Sequence, residues 1–147
     1  MGLDMYLYAK KYFSRYNEND KVIVKKITAS TKDLEFMGEF RELSFEFMYW
    51  RKANHIHRWF VEKIQNRIND CKEYHISIEQ LEELKEACFE ALQSPEKAHE
   101  VLPTSSGFFF GGEEYDDYYY EETLRTYLKL KEFLENKDKY KRMWVNR

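Results

Sequence analysis

An α+β fold in which helices dominate is expected for this chain of 147 residues, and three observations carry the expectation. Three long stretches repeat apolar residues at three- and four-residue spacing, the helical period. The first segment is rich in β-formers. The composition, with 43% hydrophobic residues, two prolines and five glycines, suits one continuous core, so residues 1–147 are expected to form a single globular domain. Three main helices and a small antiparallel sheet are therefore predicted.

Met5 to Tyr12 alternates in part, and Lys21 to Ile27 repeats its character after the turn-like Asn17-Glu18-Asn19-Asp20. This pattern predicts an N-terminal β-hairpin. Between Asp33 and Phe47 the apolar residues alternate over the last part, which fits a third strand or an irregular cover. From Trp50 to Asn69 the residues Trp50, Ala53, Ile56, His57, Phe60, Ile64 and Ile68 fall on one side of a helix. A short strand at Tyr74-His75-Ile76 follows, and Ser77-Ile78-Glu79-Gln80 reads as a capping box. The helix it opens turns Ile78, Leu81, Leu84, Cys88 and Leu92 inward and ends near Ser94-Pro95. Pro95 suits the first turn of a short helix reaching about Leu102. Pro103 to Gly112 is a loop by its punctuation, yet it holds Phe108, Phe109 and Phe110, of which at least one is expected inside. A last helix from about Asp116 to Asn136 places Tyr120, Thr123, Leu124, Tyr127, Leu130 and Leu134 on one side. Tyr140 to Val145 either pairs as an edge strand or trails.

Composition removes several functions. No apolar run approaches the roughly 18 residues that span a bilayer, and Met1-Gly2-Leu3-Asp4 lacks the basic start of a signal peptide. A soluble, cytoplasmic protein without membrane contact is expected. Lys and Arg total 24 against 27 Asp and Glu, a net charge of -3 that gives no general drive toward nucleic acid. Cys71 and Cys88 belong to no zinc or disulfide pattern, so two free thiols and no metal or cofactor are expected. Gly107 to Gly112 fits no phosphate-loop motif, and the carboxylates after it would repel phosphate.

Two charge constellations stand out. Arg51, Lys52, Arg58, Lys63 and Arg67 with His55 and His57 form a basic helix, and Glu113 to Glu122 interleaves six carboxylates with four tyrosines. Solvated faces are the ordinary explanation. The sharper one is recognition of an anionic, nucleotide-type ligand, in which Arg51 supplies a planar fork, Asn54 reads donor and acceptor edges, and Trp59, Tyr115 and Tyr119 stack. His55 and His57 point about 160° apart on a helix, so they cannot share a metal. His57 faces the apolar side, where a structural role competes with ligand contact, while His55 falls on the solvent side near Trp59. Trp59 is a candidate contact for a partner or second subunit, unless a loop covers it.

Three blocks, Met1 to Leu7, Tyr49 to Phe60 and Leu102 to Gly111 with Tyr115 to Tyr119, together resemble a group of small uncharacterised proteins of bacteriophages and prophages. The resemblance implies provenance and carries no activity with it. Small phage proteins without enzyme motifs commonly act by binding. The expected function is thus an accessory, counter-defence binding protein that inhibits a host protein or sequesters a nucleotide signal, with homo-oligomerisation open. The alternative is a small nucleotide- or nucleic-acid-processing enzyme using His57 and Arg51, and a third is a packing or regulatory component of the phage.

Overall fold

The computed structural model describes residues 4–105, 114–136 and 144–146, the last three by their backbone. Strand β1 (Asp4–Tyr12) pairs along its whole length with β2 (Glu42–Arg51), Met5 opposite Trp50 and Leu7 opposite Met48, with a register shift between Leu7 and Tyr8. On its other side β1 pairs with β4 (Trp144–Asn146), which pairs in turn with β3 (His75–Ile76). The antiparallel order is β2-β1-β4-β3. The expected α+β class holds, and the C-terminal segment enters the sheet between two strands rather than at its edge. Its residues 140–143, like the phenylalanines at 108–110, lie outside the described residues.

The second arm of the expected hairpin is helical. Helix α1 (Glu18–Ser30) begins at Asn17, whose side chain accepts from Asp20 N–H at 3.0 Å, and Glu18 and Asp20 stand at the positive end of the helix. Asn-rich tetrapeptides serve tight turns and helix starts by the same side-chain bond, and here the second use wins over the β-branched run Val22-Ile23-Val24. A 3-10 helix (Lys32–Met37) follows, and β2 starts at Glu42, later than the Asp33–Phe47 expectation placed it.

The expected Trp50–Asn69 helix is shorter and starts later. Trp50 belongs to β2. The chain then turns at Lys52, which holds a left-handed backbone with φ 56°, into α2 (Asn54–Lys63). After Ile64, Asn66 and Arg67 are also left-handed, and Arg67 N–H reaches Val61 O at 2.8 Å, ending the helix. The five cations therefore do not share one helix: Arg51 and Lys52 precede it and Arg67 follows it. Ala53, Ile56 and Phe60 are buried as expected, Ile64 is half-buried, and Ile68 is exposed.

Helix α3 (Ile78–Ala91) shows both bonds of the capping box and buries Leu81, Leu84 and Cys88. Helix α4 (Pro95–Val101) carries its proline in the first turn, and α5 (Asp117–Glu135) is capped by Asp116. The sheet residues Met5, Leu7, Met48 and Trp50 join Ile56, Phe60, Leu81, Leu84, Leu102 and Leu130 in one apolar core. On α5 Thr123, Leu130 and Leu134 are buried as expected and Tyr120 and Tyr127 pack on the core half-buried, while Leu124 is 45% exposed and Tyr119 and Thr126 face in instead. Among the described residues no helix is long and apolar enough to cross a membrane.

Candidate functional site

The end of β2, the start of α2, the strand-like residues after α4 and the start of α5 meet at one corner of the molecule. Trp50 and His55 fix that meeting. The indole Nε1–H of Trp50 donates to Thr126 Oγ1 at 2.8 Å, and that hydroxyl donates to Glu122 O. One turn earlier on α5, Thr123 Oγ1 donates to Tyr119 O at 2.7 Å and lies 3.0 Å from His55 Nε2. A hydroxyl has one proton, so Thr123 accepts from His55 and the imidazole carries its hydrogen on Nε2. Burial lowers the His55 pKa to about 3, with Asp116 opposing the shift, so the ring is neutral. This overturns the expected solvent-facing His55: its ring is buried, 4.1 Å from that of Tyr119.

Between these elements lies a cleft of about 480 Å³. Two cations, Arg51 and Lys52, and two carboxylates, Glu114 and Asp116, line it together with Asn54, His55, Thr104, Tyr118 and Tyr119. The Tyr118 hydroxyl donates to Arg51 O, and Arg125 Nη2 donates to Tyr49 O at 2.7 Å, so α5 holds the last residues of β2 in place. Asn54 is buried and its Oδ1 accepts from Ser105 N–H at 3.1 Å, which pins the segment after α4 to α2. Tyr119 donates to Leu102 O at 2.7 Å, and its burial raises its phenol pKa. Behind it Tyr115 accepts from Thr104 N–H at 3.2 Å, with its ring 3.8 Å from that of His99 and 4.9 Å from that of Tyr119.

Of the six side chains singled out in the sequence, Arg51, Asn54 and Tyr119 converge on this cleft. Tyr115 supports it from behind. His57 does not take part: its buried ring sits between Met5 Sδ at 3.0 Å and Asn69 Oδ1 at 3.1 Å, a structural placement on the other side of α2. Trp59 is only 6% exposed and lines a second groove, so the reading of an outward contact is corrected in favour of a covered side chain. Sequence reading missed Lys52, Thr104, Glu114, Asp116 and Tyr118 as lining and misplaced His55.

Among the described residues no group of three or more His, Cys, Asp or Glu side chains is placed to hold a metal ion. Cys71 and Cys88 are both free. No family model, no curated protein and no solved structure matches this chain.

Proposed function

We propose that this chain is a binding protein of phage type that sequesters a small nucleotide-type ligand in the cytoplasm of the host cell, as a counter-defence accessory. The observation that carries the reading is a cleft lined both by cations, Arg51 and Lys52, and by carboxylates, Asp116 and Glu114. Its volume falls in the range of small-molecule sites, about 300–1,000 Å³. A nucleotide offers a partner to each of these charges. Its phosphate takes charge-assisted bonds from a guanidinium, and its ribose hydroxyls donate to carboxylates. Tyr118, 43% exposed, supplies aromatic surface, while the buried Asn54, His55 and Tyr119 hold the elements that frame the cleft.

Inhibition of a host protein would use the recognition side chains on an exposed patch, and of these Asn54, Trp59 and Tyr119 are buried. The catalytic alternative needs His57 beside Arg51, and His57 is absent from the cleft lining. The test is thermal shift against mononucleotides and cyclic dinucleotides, with chromatography of the recovered ligand. A ligand at a hundredfold excess over its dissociation constant stabilises by about 2.7 kcal/mol. The expected outcome is a shift with one nucleotide class, recovered intact, and loss of the shift in Arg51→Ala with an unchanged circular dichroism spectrum. No shift with any nucleotide, or an equal shift in Arg51→Ala, overturns the reading.

A further inference from the structure

Residues 14–40 leave the sheet between β1 and β2 as an arm with a closed base. Phe13 N–H donates to Arg41 O at 2.8 Å, Arg41 Nη1 donates back to Phe13 O at 3.3 Å, and the Phe13 ring packs on Phe40 at 5.5 Å. Beyond that base, neither α1 nor the 3-10 helix buries a single residue. Phe36 is 86% exposed and Met37 72%, with Val22 and Leu34 about half exposed. A helix as short as α1 is marginal in water unless an apolar face is covered, and its Val22, Ile23, Val24 and Ile27 are weaker helix formers than straight-chain residues. Apolar side chains gathered in the open on such an element mark an interaction surface.

The charges of the arm indicate what covers it. Glu18, Asp20 and Glu39 are engaged within the arm or at its base, with Lys21, Ser14 N–H and Arg41 respectively. Lys25, Lys26 and Lys32 of the arm form no ion pair among the described residues, and neither do its acidic Asp33 and Glu35. The groove that contains Trp59 is the complement of these lysines. It measures about 900 Å³ between α2, α3 and the end of α4, and the half-buried Ala87 and Val101 are its accessible apolar part, Trp59 and Leu102 being buried. Seven glutamates line it against three cations, Arg58, Lys63 and Lys85. Of these glutamates, Glu79, Glu83 and Glu90 form no ion pair among the described residues.

We propose that the arm of one copy docks in the α2–α3 groove of a second copy, and reciprocally, as an arm-exchanged dimer. Phe36 and Met37 enter the apolar part, while Lys25, Lys26 and Lys32 meet the glutamate rim. A two-fold exchange uses both surfaces of both copies and closes the assembly. It is independent of any ligand in the cleft.

Sedimentation velocity tests the dimer. The wild-type chain is expected at twice the mass of one chain. Three variants are expected at the mass of one chain, with unchanged circular dichroism: Phe36→Ala/Met37→Ala, Lys25→Glu/Lys26→Glu, and Glu83→Lys/Glu90→Lys. An equimolar mixture of the two charge-reversed variants restores the twofold mass, because each reversed arm then meets a groove of opposite sign. A monomeric wild-type chain, or a mixture that stays monomeric, overturns the proposal.

Discussion

Thr123 and Thr126 are small residues with a large share in the architecture. Each hydroxyl donates to the carbonyl four residues back and accepts from a buried ring N–H, His55 for one and Trp50 for the other. Thr123→Val keeps the shape and removes the acceptor, leaving the His55 N–H buried without a partner. The expected cost is about 1–3 kcal/mol, read by urea denaturation. His55 also couples stability to pH. Its pKa is about 3 in the folded chain against 6.5 for the free side chain, so the unfolded chain binds the proton first as pH falls. The stabilisation is whole above pH 6.5 and is lost progressively below it, with a slope of up to about 1.4 kcal/mol per pH unit. Denaturation of wild type and His55→Phe between pH 7.5 and 5 should show the steeper decline in wild type. Parallel curves would mean that His55 is not the titrating group.

At the scale of elements, α2 is held from every side. Ile56 and Phe60 enter the core, Trp59 faces the α2–α3 groove, and Trp50 packs on Phe60 with ring centroids 5.8 Å apart. Phe60→Ala is expected to cost about 3–5 kcal/mol in urea denaturation, the ordinary range for emptying a buried aromatic site. A wild-type midpoint in that variant would refute the packing of α2. The edge of β2 is managed by the same neighbourhood. Arg125 and Tyr118 occupy the carbonyls of Tyr49 and Arg51, so the last turns of this edge strand present α5 rather than a free ladder.

For the whole molecule, the two cysteines report how closed the core is. Cys71 is exposed, whereas Cys88 is wholly buried and burial raises its thiol pKa. The reactive species is the thiolate, so one thiol per chain should react with a disulfide reagent in the native state and the second only after unfolding. Two rapid equivalents in native buffer would contradict a closed core around α3. The cleft and the α2–α3 groove meet at His55, which lines both. They differ in charge, one lined by both signs and the other mostly acidic.

Much of this molecule is local enough to be written in the sequence. Helix α3 is legible because its capping box, its apolar spacing and the proline after it act within a few residues. The fold class and the strand at Met5 to Tyr12 follow from the same short-range patterns, and Arg51, Asn54 and Tyr119, singled out by residue type, line one cleft. Helix α1 was not legible, since Asn17 to Asp20 serves a turn or a helix start equally well and the β-branched run favours a strand. Nor was the start of α2, because Trp50 lies three residues before Ala53 and keeps helical spacing while sitting in a strand. Thr123 was legible as an inward position, but its His55 partner, and the inward turn of Thr126 to Trp50, depend on donors that arrive from more than sixty residues earlier. Local propensity and periodicity thus determined the elements whose signals act within a few residues, such as α3 and β1. Only tertiary structure decided which residues meet, because a buried donor chooses its acceptor across the core and not along the chain.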